Sequence, residues 1–184
     1  MLKTLERADI ESINFGGFDS PVIEVRGYQN YDLTADTITA MANPTQLRPW
    51  TDTKIKAEFF QLILDTVKPR TYADFGSNLG YYIIHAAMQG ISSTGIDYNK
   101  EYTYMCQCIT SRLDIEKTTW FNSNLQQWSR SASRYDLITV FNVIHHLYNR
   151  TEEYKDMDKL IADFRAKGTV VLFEFPTERD KKGY

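Results

Sequence analysis

Cysteine is nearly missing from this chain of 184 residues, which holds only Cys106 and Cys108. One residue apart in a stretch of helical pattern, the two project from different faces and are badly placed to bridge each other. No zinc-type spacing accompanies them, so a disulfide-stapled fold is excluded and a reducing, cytoplasmic setting is expected. Long apolar runs are missing too. The stretch from Tyr81 to Met88 is short and interrupted by His85, far from the roughly 20 apolar residues of a membrane span, and no signal-peptide pattern is present. Nor is there an excess of positive charge: 21 Lys and Arg stand against 24 Asp and Glu, a net charge of −3. Indiscriminate nucleic-acid binding therefore lacks its electrostatic footprint. The basic cluster from Arg179 to Lys182 lies beside Glu178 and Asp180 and reads as a solvated tail.

What is present is material for a core. Apolar residues make up 42% of the chain and aromatic ones 14%, which excludes a disordered polymer and suits one domain of ordinary size. No repeat, low-complexity tract or linker argues for a second domain. Residues 1–50 read as an N-terminal hairpin or irregular cap of the same domain, with turn signals at Phe15-Gly-Gly-Phe18 and Asp19-Ser-Pro21 and a short alternating strand from Val22 to Val25. Residues 51–184 carry the rest.

From Thr71 onward short apolar runs alternate with helical patterns, the sequence form of a parallel α/β sheet. Strands are expected at Thr71–Phe75, Ser93–Asp97, Thr118–Asn122, Tyr135–Phe141 and Thr169–Phe175, and helices at Leu79–Met88, Lys100–Leu113, Leu125–Ser129 and Glu152–Ala166. The last helix presents Tyr154, Met157, Leu160, Ile161 and Phe164 at helical spacing, with Gly168 placed to end it. Ahead of the sheet, Ile55, Phe59, Leu62, Ile63 and Val67 form a similar stripe, with Asp52 or Thr53 as cap and Pro69 beyond its end.

The chemistry concentrates at Asp74-Phe-Gly-Ser-Asn-Leu-Gly80, where a strand turns into a helix. Gly76 and Gly80 permit positive φ at a sharp turn that meets a ligand, and the following helix offers unsatisfied N–H groups. One βα unit on, Gly95-Ile-Asp97 ends a strand in a carboxylate about 20 residues after the glycines, the place where nucleotide-binding sheets hold ribose hydroxyls.

These segments, followed in order by Asn122-Ser-Asn124-Leu125 and by Tyr135-Asp-Leu-Ile-Thr-Val-Phe-Asn-Val-Ile-His-His-Leu147, resemble a class I S-adenosylmethionine-dependent methyltransferase over roughly Trp50 to Pro176. The resemblance implies a Rossmann-like, doubly wound, mostly parallel sheet with helices on both faces and S-adenosyl-L-methionine as cofactor. It places Asp74 as brace of the loop, Gly76, Ser77, Asn78 and Gly80 around the methionyl part, Asp97 on the ribose with Tyr98 beside it, Asn124 and Leu125 at the adenine, and Asn142 at the cofactor's amino-acid portion or the acceptor. Asn78 replaces the family's middle glycine, tolerably because asparagine accepts left-handed geometry, and Asn124 replaces the commoner aspartate while keeping a donor and an acceptor. The family's C-terminal antiparallel strand pair is expected to be lacking after Pro176, which leaves a sheet edge for a partner chain or fused domain, or for residues 1–50, to complete.

Transfer to an oxygen needs a group to take a proton, and His145 and His146, directly after the fourth strand, are the matched side chains, with Glu174 as a second base candidate. His85 reads as a structural histidine. Tyr81, Phe141 and Tyr148 are candidates to face a cationic sulfur, and Arg48 and Lys54 to reach a carboxylate. No carboxylate cluster with metal-binding spacing is present. The Asn-Val-Ile-His-His-Leu stretch and Val170-Val-Leu-Phe-Glu-Phe175 resemble methyltransferases of polysaccharide synthesis, implying a glycan hydroxyl or small polar metabolite as acceptor. The alternatives are RNA or tRNA methylation, for which Arg48, Lys54, Lys56, Lys68 and Arg70 would have to form a surface, and a noncatalytic cofactor-binding module. A nicotinamide oxidoreductase fits worse, since Tyr81 stands where the dinucleotide fingerprint wants glycine and no Tyr-x-x-x-Lys occurs.

Overall fold

The computed structural model describes residues 22–24, 29–33, 38–40, 53–150 and 155–175. Its main sheet contains β4 (Thr71–Phe75), β5 (Ser92–Asp97), β6 (Thr118–Asn122), β7 (Tyr135–Val140) and β8 (Gly168–Phe173). All pairs are parallel, in the order β6-β5-β4-β7-β8. The chain winds outward from β4 through β5 to β6, then crosses back to β7 and β8. That reversal leaves a crevice at the carboxyl ends of β4 and β7, the usual ligand position in such sheets.

Alternation along the strands divides the core in two. Tyr72 and Leu137 face α1 (Thr53–Val67), α2 (Tyr81–Met88) and α3 (Lys100–Arg112), where they meet Phe60, Ile63, Leu64, Ile83 and Ile109. Ala73, Phe75, Ile96, Ile138 and Val140 face α4 (Leu125–Ser129), α5 (Ile144–Arg150) and α6 (Met157–Arg165), packing on Leu125, Trp128, Ile144, Leu160 and Phe164. Helices on both faces explain why strands buried on both sides read as short apolar runs.

Among the described residues the N-terminal part forms a three-stranded antiparallel meander, one strand more than a single hairpin: β1 (Val22–Glu24), β2 (Asn30–Leu33) and β3 (Ile38–Ala40). Its β3 packs on α1 and α2, with Ile38 against the core. The turn signals between Phe15 and Pro21, and residues 176–184 where the missing strand pair was read, lie outside the described residues.

Three local expectations are corrected. On α1 the buried face is Phe60, Ile63 and Leu64, while Phe59 and Leu62 are 56% and 61% exposed. The rings of Tyr72 and Tyr82, at 5.2 and 5.0 Å from Phe60, settle which aromatic turns inward. The last helix starts at Met157, five residues later than read, where Asp156 caps it by accepting from Asp158 N and Lys159 N. Gly168 does not end that helix. It is the first residue of β8, opposite Tyr135, and a Cβ there would lie 2.8 Å from Val171 Cγ2 and 2.9 Å from Ile138 Cδ1.

Candidate functional site

The loop leaving β4 is tied to the end of β5. Gly76 N and Ser77 N both donate to Ile96 O, at 2.8 and 3.1 Å, and Gly80 N closes the turn on Ser77 O at 2.8 Å. Gly76 and Gly80 have φ of 82° and 79°, and Asn78 between them has 49°, so the left-handed conformation read for Asn78 is adopted. Glycine at 80 is also a packing requirement, since a Cβ there would sit 2.3 Å from the Trp120 ring.

Asp97 organises this loop from below. Its Oδ2 accepts from Asn78 N at 2.9 Å and its Oδ1 from Asn99 N at 2.8 Å. Each carboxylate oxygen keeps a further lone pair for a ligand. Burial pushes the Asp97 carboxyl above its ordinary range, and the backbone donors of Asn99 and Asn78 pull it back down. Asn122 Nδ2 donates to the carbonyls of Asp97 and Tyr98, fastening the end of β6 to the end of β5.

Asp74 is 2% exposed. Its Oδ1 accepts from Thr139 Oγ1 at 2.7 Å, and Thr139 in turn lies 2.6 Å from the Tyr72 hydroxyl. Burial raises this carboxyl to about 7, with the Thr139 hydrogen bond opposing, the charge of Asp97 adding, and Lys56 opposing.

These groups share one cavity of about 580 Å³, within the ordinary range for a small-molecule site. Of the residues singled out from sequence, Asp74, Gly76, Asn78, Asp97, Tyr98, Asn124, Leu125, Asn142 and His146 line it; Ser77, Gly80, His145 and Glu174 do not. Ser77, within the loop, is turned inward and is 1% exposed. The two histidines lie ring against ring, centroids 3.9 Å apart, with His146 on the cavity side. Asn124 caps α4, its Oδ1 accepting from Gln127 N at 2.9 Å, and leaves its Nδ2 for other contacts.

Glu174 is engaged by Lys56 of α1, whose Nζ reaches its two carboxylate oxygens at 2.7 and 2.8 Å. With the Asn142 amide turned to satisfy both partners, its nitrogen donates to Glu174 Oε1 at 3.1 Å and its oxygen accepts from Lys56 Nζ at 2.8 Å. Asn142 holds a left-handed φ of 57° to do so. A carboxylate held this way is a poor candidate for a free base.

Of the aromatic candidates, Phe141 lines the cavity; Tyr81 is in the core and Tyr148 is not at the cavity. Tyr82, which sequence reading passed over, lines it and meets Phe141 edge to face at 5.2 Å. Lys56 was read as one member of a basic stretch, and Gln29 carried no signal at all, yet both line the cavity. Gln29 is 6% exposed, and its Oε1 accepts from Tyr81 N at the start of α2 at 3.1 Å. His85 lies apart, its Nε2 donating to Gln61 Oε1 at 2.7 Å and its ring stacked on Tyr81. Arg48 and the Lys54 side chain lie outside the described residues. Among the described residues no three His, Cys, Asp or Glu side chains cluster as metal ligands, and no described helix is long and apolar enough to cross a membrane.

A sequence-family model for a methyltransferase domain matches residues 47–183. No curated protein matches. Among solved structures, the bifunctional kinase-methyltransferase WbdD is similar with a TM-score of 0.58 and 16% identity, covering 68% of this chain and 28% of its own. Coclaurine N-methyltransferase bound to N-methylheliamine and SAH (S-adenosylhomocysteine) gives 0.52 and 14%, covering 78% and 38%. The N-terminal domain of EvdMO1 with SAH bound gives 0.55 and 12%, covering 64% and 48%. At these identities the likeness concerns the fold, and the chain spans well under half of WbdD and of coclaurine N-methyltransferase.

Proposed function

Because the chain belongs to the methyltransferase domain family, with S-adenosylmethionine as its cofactor, we propose that it methylates an oxygen, the acceptor being a sugar hydroxyl of a glycan or a small polar metabolite. The cofactor's contribution is an electrophilic methyl group on a sulfonium sulfur. The donor set suits it: Asp97 has spare acceptor capacity for the two ribose hydroxyls, Gly76 and Asn78 line the cavity where the methionyl chain would lie, and Asn124 Nδ2 and Leu125 stand at the adenine end. Tyr82 and Phe141 form an aromatic wall of the kind that favours a cation. Asp74 braces the loop through Thr139.

His146 carries the reading toward oxygen. It is the histidine that lines the cavity holding Asp97, and imidazole is suited to take a hydroxyl proton near neutral pH. Holding the hydroxyl in line with the methyl group supplies much of the remaining acceleration by orientation alone. The similarity of the stretch from Asn142 to Leu147 to methyltransferases of polysaccharide synthesis supports a sugar acceptor.

The deciding experiment incubates the protein with methyl-labelled S-adenosylmethionine and a panel of glycans, small alcohols, amines and RNA. Label on an oxygen of a glycan or small alcohol, lost in His146→Ala, is the expected result. Transfer only to nitrogen or to RNA would overturn the oxygen assignment.

A further inference from the structure

Gln29 is a polar, buried cavity residue for which the cofactor reading has so far given no task. It precedes β2 in the meander, outside the family-matched residues 47–183, and is 94% removed from solvent by its 6% exposure. Its orientation follows from chemistry. A backbone N–H can only donate, so the atom meeting Tyr81 N at 3.1 Å is Oε1, and the carboxamide's other atom is a donor. Nε2 therefore brings two N–H groups to a cavity-lining side chain and has no hydrogen-bond partner among the described residues. That donor is not sealed in the core but meets the open cavity, where a ligand or water can take it.

Lys56 does not compete for that ligand. Its three ammonium protons are matched by Glu174 Oε1, Glu174 Oε2 and Asn142 Oδ1 at 2.7, 2.8 and 2.8 Å, and its charge is balanced by Glu174. The strand order also separates the cavity's ends. Asp97 ends β5 and Glu174 follows β8, three strand spacings away, or roughly 14 Å at about 4.8 Å each. Asp97, Asn124 and Leu125 make a nucleoside end at β5 and β6, and Gln29, on the N-terminus of the helix that follows the Gly76–Gly80 loop, stands on its β4 side.

Resting on the cofactor reading, we propose that Gln29 is a cofactor-binding residue supplied from outside the methyltransferase domain, its Nε2 donating to the carboxylate at the amino-acid end of S-adenosylmethionine. A carboxylate accepts and cannot donate, which matches a pure donor, while the neighbouring ammonium does not. The meander is then part of the cofactor site, and residues 47–183 alone form an incomplete one.

The test is calorimetric titration of the full chain with S-adenosylhomocysteine and with 5′-methylthioadenosine, which keeps the nucleoside and thioether but lacks the amino-acid end. Gln29→Glu retains an oxygen for Tyr81 N–H and replaces the donor with a charged acceptor. It should weaken S-adenosylhomocysteine at least about tenfold and leave methylthioadenosine within about twofold, with circular dichroism confirming its fold. Gln29→Leu gives up both contacts and should show the same selectivity, with circular dichroism confirming its fold. Unchanged S-adenosylhomocysteine affinity in both variants, or equal loss for both compounds, would overturn the assignment. A parent chain that bound neither compound would instead overturn the cofactor reading on which it rests.

Discussion

The backbone N–H of Asn78 donates to Oδ2 of Asp97 at 2.9 Å, so the loop after β4 and the carboxylate ending β5 are a single mechanical unit. Removing that carboxylate therefore does two things: it deletes the acceptor for ribose and frees a residue held at positive φ. Asp97→Ala should weaken S-adenosylhomocysteine by about 2–4 kcal/mol, two charge-assisted hydrogen bonds partly offset by water, or roughly 30-fold and more by calorimetry. An affinity within a few-fold of the parent would remove Asp97 from the ribose role.

Asp74 links folding to pH. Burial raises its carboxyl to about 7, above the unfolded value near 3.8, so between these values the folded chain holds a proton that the unfolded chain has released. Stability from this group is thus full below about pH 4 and declines as pH rises toward 7. Asp74→Asn keeps an acceptor for Thr139 and removes the charge. Its thermal midpoint should exceed the parent's by several degrees at pH 8, with little difference at pH 4. A gain independent of pH would show that the carboxyl is not titrating in this window.

How far the molecule could be read in advance follows from where the information lies. The strands at Thr71–Phe75 and Thr118–Asn122 were legible to the residue, because each is a local apolar or β-branched run flanked by polar or turn-forming residues. The Gly76–Gly80 loop and Asp97 were legible because turn geometry and a strand-end carboxylate are local signals too. The face of α1 was not. Phe59, Phe60, Leu62, Ile63 and Leu64 surround more than half of the helix, and rings on β4 and α2 make the choice. The Lys56–Glu174 pair spans 118 residues, and Gln29 acquires its place only when the meander docks. Neither carries a sequence pattern.

That long-range pair should behave as one unit. Lys56 and Glu174 side chains are 14% and 27% exposed, and each leaves the other's charge poorly compensated when removed. Lys56→Met and Glu174→Gln should each lower the thermal midpoint, while the double variant should fall short of their sum, with a coupling of about 0.5–3 kcal/mol in a double-mutant cycle. Strict additivity would show that Asn142 or water takes over when either partner goes.

The two histidines separate a base from a packing residue. His146 lines the cavity and His145 does not, although their rings touch. On the oxygen-acceptor reading, His146→Ala should lower kcat with the identified acceptor by about 10²–10⁴, with S-adenosylhomocysteine affinity unchanged. His145→Ala should cost stability and change turnover little. Were His145→Ala instead to abolish turnover while His146→Ala retained the parent's rate, the roles would be reversed and the ring facing the cavity would be the structural one.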